Sequence, residues 1–147
     1  MGIMQAMDVG SAGMTVHGKR LDIHAKNIAN MDTPNYIRKI PILNAVEDIS
    51  FAGIMNSMKE DVFGVGTIPF KDGGVYLTGL VEDPTLGERI YKPGHPDADE
   101  NGYIRASNVN PMVDIADSML AQRAYEASLA VVSVSKAMAA KALDIGR

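Results

Sequence analysis

Asp97, Asp99, Asn101 and Gly102 stand at the spacing with which a calcium-binding loop opens, D-x-D-x-N-G, with Ile104 at position eight. Carboxylate and amide oxygens so placed suit a hard cation, and the loop then needs a bidentate glutamate at position twelve. That position is Asn108, which has no charge and no second carboxylate oxygen. Such a loop also needs a helix on each side. Pro84, Pro93, Gly94 and Pro96 forbid one upstream, and Tyr103-Ile104-Arg105 reads as extended downstream. Asp, Asn and Gly are turn formers, so the stretch reads first as a turn joining two strands. A calcium-binding module using residues 97–108 is the alternative.

The other reactive side chains make weaker sets. His17 and His24 are seven residues apart, roughly 10 Å on a helix, too far for one zinc ion to be chelated as by an i, i+4 pair. His95 lies between Gly94 and Pro96, and no HExxH, GxSxG or Walker loop occurs. Asp97, Asp99 and Glu100 are adjacent carboxylates on a turn, which reads as a solvated surface. The chain has no cysteine, which excludes disulfides, thiolate metal sites and a cysteine nucleophile. A net charge of -4 with scattered Lys and Arg offers no footprint for nucleic acid. The reading is a non-enzyme without cofactor, metal or small-molecule substrate.

Those residues are carried by three kinds of element. Val113, Ala116, Leu120, Ala124, Ala127, Val131, Val134, Met138, Ala142 and Ile145 recur at steps of three or four, one face of a long helix. Asn110 is its expected N-cap and Pro111 its first residue, with Asp114 and Asp117 complementing the dipole in the early turns. Met7, Met14, Leu21 and Ile28 recur every seven residues, heptad spacing for a coiled-coil seam. Gly10, Gly13 and Gly18 interrupt that helix, each at a cost of about 1 kcal/mol, so it needs a partner and lets one come close. Asn30 and Asp32-Thr33-Pro34 end it.

Between the helices the period changes. Val75–Val81, Arg89–Tyr91 and Tyr103–Arg105 read as short strands between turns. Phe51, Ile54, Met55, Met58 and Val62 read as a short helix, and residues 63–74 as a loop. The expected fold is α+β. Long N- and C-terminal helices pair as a coiled-coil-like inner domain, with a small β-rich middle domain. The segments are 1–36, 37–107 and 108–147. The helices carry more apolar face than the middle can cover. Either they pack as an antiparallel pair within one chain, or neighbouring copies complete their faces. No run of 18 apolar residues occurs, and the N-terminus, with Asp8 where an apolar stretch should run, lacks a secretory signal.

Two segments make the chain similar to a known family. Asn27-Ile28-Ala29-Asn30-Met31-Asp32-Thr33-Pro34-Asn35-Tyr36 resembles the N-terminal signature of bacterial flagellar rod and hook proteins, and Ala121-Gln122-Arg123-Ala124-Tyr125-Glu126-Ala127 resembles their C-terminal one. The PGHPDADENGYI stretch, with Asn108-Val109-Asn110 and Met112-Val113, narrows the resemblance to proximal rod members. It covers about the first 36 and the last 57 residues.

The resemblance implies a structural subunit of the periplasmic basal-body rod. Its implied partners are copies of itself, other rod proteins, the rod-to-MS-ring junction protein and the flagellar type III export apparatus, which it would pass without a cleaved signal. It would transmit torque and line the export channel. Asn27, Ala29, Asn30, Thr33 and Tyr36, with Arg123, Ala124, Tyr125 and Glu126, match the motifs and are implied subunit-interaction residues. Met7, Met14, Leu21, Ile28, Leu120, Val131, Val134, Met138 and Ile145 are the implied inner-domain packing residues. Asn35 stands where the family usually has glycine, a place an asparagine with φ > 0 can fill.

Overall fold

In the computed structural model, residues 2–45 and 73–145 are described. The elements in chain order are α1 (Ile3–Ala29), β1 (Lys39–Ala45), β2 (Val75–Glu82), β3 (Arg89–Tyr91), β4 (Tyr103–Arg105) and α2 (Pro111–Ile145). In chain order two long helices stand on either side of a small β region, the expected α+β class. The helix expected around Phe51–Val62 and nearly all of the 63–74 loop lie outside the described residues.

The start of α2 follows from its residues. Asn110 Oδ1 accepts the backbone N–H groups of Met112 at 3.1 Å and Val113 at 3.4 Å, satisfying two of the amides a helix start leaves free. Pro111, first in the helix, lacks an N–H and has its φ set for the turn. At the end of α1, Asn30 Nδ2 donates to the Lys26 carbonyl at 2.8 Å and Thr33 Oγ1 donates to Asn30 Oδ1 at 3.2 Å. The chain leaves that helix through Asn35, which has φ 60° in the place expected to tolerate it.

β1 pairs with β2 and β3 with β4. β1 has no counterpart among the strands expected from the sequence, and it contains Pro41. A two-stranded ladder consists only of edges, and there a residue without an N–H is tolerated. β3 and β4 are antiparallel, with Ile90 opposite Ile104 and Tyr91 opposite Tyr103. The two tyrosine rings meet edge to face at 5.1 Å between centroids, and the Arg89 guanidinium lies 5.7 Å from the Tyr103 ring centre. The 97–108 stretch therefore closes a hairpin instead of linking two helices.

The described residues form two compact units. One comprises those of Met1–Val16, Leu43–Leu77 and Tyr125–Arg147. Within it α1 and α2 approach closely: a Cβ on Gly10 would lie 2.7 Å from Val132 Cγ2, and one on Gly13 would lie 2.7 Å from Ser128 Oγ. The glycines that weaken α1 alone are what admit α2. The other unit comprises His17–Ile42 and Thr78–Ala124. Its buried residues include Ile23, Ile104 and Ala121, but also His24, Asn27 and Asp114. A buried polar group left unbonded weakens a fold, and of these three side chains His24 keeps one buried nitrogen, Nε2, without a partner.

Along α2 the covered positions are Asp114, Ala121 and Ser135, with Ser118, Ala124, Ser128, Val132 and Ala139 half-buried. The large apolar residues face outward: Leu120 is 63% exposed, Val131 46%, Val134 57%, Met138 56% and Ile145 87%. Within one chain α2 thus turns its small side chains inward. Met7, Met14, Leu21 and Ile28 of α1 are half-buried.

Candidate functional site

In the second of these units, the group best placed to organise the buried polar residues is the carboxylate of Asp114, one turn into α2 and fully buried. His24 and Asn27, one turn apart on α1, both reach it. His24 Nδ1 lies 2.8 Å from Oδ1 and Asn27 Nδ2 donates to the same oxygen at 3.0 Å. From the segment leading into β1, Arg38 Nε donates to Oδ2 at 2.8 Å and Nη2 to Oδ1 at 3.4 Å. An ionised carboxylate only accepts, so His24 presents a hydrogen on Nδ1. Arg38 Nη2 also reaches Asp117 Oδ2 at 3.3 Å.

Burial pushes the Asp114 carboxyl upward. The hydrogen bonds from Arg38, His24 and Asn27 outweigh it and hold the pKa below the ordinary carboxylate value. Arg38 is raised in turn, first by its hydrogen bond to Asp114. The Tyr36 hydroxyl is raised by burial and then by the Asp114 charge.

Asn27 links Asp114 to the surrounding backbone and uses every hydrogen-bonding position of its side chain. Its Nδ2 donates to the Lys39 carbonyl at 2.8 Å as well as to Asp114. Its Oδ1 accepts from Tyr36 Oη and from the Lys39 N–H, each at 3.1 Å. Asn27 thereby pairs with both backbone groups of Lys39, as a neighbouring strand would. On the other side of Arg38, Asn108 Oδ1 accepts the Arg38 N–H, while Asn108 Nδ2 donates to the carbonyls of Asp83 at 3.1 Å and Thr85 at 2.7 Å. The end of α1, the start of β1, the 83–85 segment and the start of α2 are tied into one network.

His24, Asp114 and Asp117 place imidazole and carboxylate atoms within 4.8 Å of one another, a donor set a divalent cation would accept. The arrangement argues against a metal role. Arg38 already bonds both carboxylates, and the His24 nitrogen facing Asp114 carries a hydrogen. A cation would have to displace one positive charge and one proton. The chemistry supported is an ion-pair and hydrogen-bond lock, stable only when all its members are present.

The expected motif residues divide around this lock. Asn27 bonds the central Asp114 directly, and Tyr36 reaches it through Asn27. Asn27 is buried in the single chain with every polar position used, so it is not a group that awaits assembly to be covered. Asn30 and Thr33 terminate α1, and Ala29 is exposed. Arg123, Tyr125 and Glu126 are exposed along α2, and Ala124 is half-buried. The sequence reading missed Arg38, passed over His24 as half of an unsuitable zinc pair, and saw Asp114 only as a dipole partner. One signal was present: Asp114 shares a helix face at steps of seven with Ala121, Ser128 and Ser135.

Comparison with known proteins agrees with this architecture. The family described as "Flagella basal body rod protein" matches residues 7–36, and "Flagellar basal body rod FlgEFG protein C-terminal" matches residues 100–145. The flagellar basal-body rod protein FlgC of Bacillus subtilis is 30% identical, with all of both chains covered. That of Buchnera aphidicola from Acyrthosiphon pisum is 31% identical over 99% of this chain and 98% of the relative. The Salmonella typhimurium protein is 28% identical over the whole of both. With family matches at both ends and identity of this level over the full length, the chain belongs to the flagellar basal-body rod protein family FlgC.

Proposed function

We propose that the chain is a non-enzymatic structural subunit of the flagellar basal-body rod. It assembles through its terminal helices, transmits torque along the rod and lines the export channel. One observation carries the reading: α2 packs its small face inside the chain and leaves Leu120, Val131, Val134, Met138 and Ile145 exposed along one face. A long stripe of large apolar side chains in water is a surface waiting for a partner. Copies of the same chain and the other rod proteins supply that partner. In the assembled rod, residues 1–36 and 108–147 form the inner helical domain and 37–107 the outer one. Met7, Met14, Leu21, Ile28, Leu120, Val131, Val134, Met138 and Ile145 pack it.

The Asp114 lock gives this assembly a rigid joint. Torque must pass between helices and the β region without slip, and a buried ion pair with several hydrogen bonds resists sliding because it has only one satisfied geometry. Ala29, Arg123, Tyr125 and Glu126 are exposed on the helices and are the motif residues we assign to contacts with neighbours. The subunit reaches the periplasmic rod through the type III export apparatus and meets the rod-to-MS-ring junction protein there. Among the described residues no helix is long and apolar enough to cross a membrane.

Sedimentation and negative-stain microscopy with the other rod proteins test the reading. The wild-type chain is expected in helical assemblies, whereas Leu120→Asp and Met138→Asp stay soluble with unchanged circular dichroism. Assembly by both variants at the wild-type level would refute it.

A further inference from the structure

Asn101 and Gly102 close the β3–β4 hairpin, and a side chain in place of the glycine would be strained. Its φ is +77°, and a Cβ there would lie 3.0 Å from Tyr91 Cε2 and 3.1 Å from Pro93 Cβ. An asparagine followed by glycine is also the pair most open to intramolecular attack, since no side chain hinders the glycine nitrogen as it approaches the asparagine Cγ. Asn101 is exposed to water. The hairpin therefore favours glycine after Asn101, and that keeps a reactive pair in the turn.

The same turn holds the pair still. Asp99 Oδ1 accepts the N–H of Asn101 at 3.1 Å and that of Tyr103 at 2.9 Å, and the Asp99 carbonyl accepts the N–H of Gly102 at 2.8 Å. Three consecutive amides are thus fastened to one residue. The Asp99 N–H donates back to the Tyr103 carbonyl at 2.9 Å, and Arg89 Nη2 holds Asp99 Oδ2 at 3.1 Å. The Tyr103 N–H is the largest influence lowering the Asp99 pKa, so the carboxylate remains an acceptor.

We propose that Asn101 is a deamidation site whose reactivity Asp99 suppresses. When the turn opens, hydroxide removes the Gly102 amide proton and that nitrogen bonds to Asn101 Cγ. The Cγ–Nδ2 bond breaks, and Nδ2 leaves as ammonia after taking a proton from water, which leaves a five-membered succinimide. Water then opens either of its carbonyl–nitrogen bonds, giving aspartate or isoaspartate. Each event adds one negative charge to a chain whose net charge is -4. Isoaspartate also lengthens the backbone by one methylene within the turn that sets the Tyr91–Tyr103 register. In a subunit held for long periods, Asp99 sets how fast that damage accumulates.

The test follows isoaspartate and aspartate at Asn101 by peptide mass spectrometry during incubation of the full chain in mildly alkaline buffer. Folded wild type is expected to react more slowly than the same chain unfolded in urea. Asp99→Ala, which removes two of the three tethers, is expected to react about 5- to 30-fold faster than folded wild type, the factor by which lost hydrogen bonds of ordinary net strength open a local structure. Asp99→Asn, which keeps an accepting Oδ1, stays closer to wild type. Equal rates for Asp99→Ala and wild type would overturn the proposal. If the alanine variant does not fold, equal rates for folded and unfolded wild type would do the same.

Discussion

Replacing Asp114 by alanine removes the acceptor that four hydrogen bonds share. The site has no water to substitute, because the Asp114 side chain is 0% exposed and His24 4%. Arg38, at 15%, regains some solvent and keeps Asp117 at 3.3 Å. Breaking a buried ion pair from one side costs about 3–5 kcal/mol, because the partner charge stays behind unpaired. The partial escape of Arg38 places the expected loss near the lower end. Against a total stability of about 5–15 kcal/mol this is a large fraction. At roughly 2–4 °C per kcal/mol for a chain of this size, melting should fall by about 6–12 °C. The comparison is Asp117→Ala, whose carboxylate is 35% exposed and makes a single 3.3 Å contact with Arg38. That substitution should cost about 1 kcal/mol or less. Thermal melts by circular dichroism, with amide exchange over the end of α1 and the start of α2, give both numbers. Equal melting temperatures for Asp114→Ala and Asp117→Ala would refute the reasoning.

Three further outcomes follow from the same contacts. The Asp114 carboxyl has a lower pKa folded than unfolded, so the unfolded chain takes up the proton first and stability falls as pH drops below the ordinary value of 3.8. His17, lowered from 6.5 by burial and then by Arg20, adds a loss that begins as pH falls below 6.5. Urea midpoints at about pH 7, 5 and 3 should decline in that order, and a flat series contradicts both assignments. Gly10→Ala should gain about 1 kcal/mol from helix propensity alone, yet its Cβ would sit 2.7 Å from Val132 Cγ2 and 3.3 Å from the Ser128 carbonyl, so a net loss of about 1–2 kcal/mol is expected in urea titrations. Asn35→Ala should cost about 1 kcal/mol at φ 60°, whereas Asn35→Gly should be neutral or stabilising, as thermal melts of the two will show.

The parts of the fold legible in the sequence were those governed by local rules. The Asn110-Pro111 helix start and the three short strands, the first running to Glu82 where Val81 was expected, depend on neighbours in the chain. The turn at Asp99 was legible for the same reason, whereas the permissive backbone at Asn35 was implied by the family resemblance. The Asp114 lock was not, because its members are 90 and 76 residues apart in sequence and each has an ordinary local explanation. An aspartate early in a helix reads as a dipole partner until a buried arginine is seen beside it. The inward face of α2 was hidden by a different cause. Hydrophobicity marks where water is eventually excluded, and in this chain the large apolar face is not the one its own helix α1 covers. β1 shows no clean period-two pattern in the sequence and carries Pro41, which an edge strand tolerates.

The central claim is that neighbouring subunits cover the exposed apolar face of α2. The chain contains no cysteine, so single cysteines placed by Val134→Cys and Met138→Cys report on that face alone. The decisive measurement is the rate of thiol labelling at these positions in the free chain and in isolated basal bodies. Fast labelling in the free chain and strong protection in the rod are predicted, while equally fast labelling in both would contradict the account.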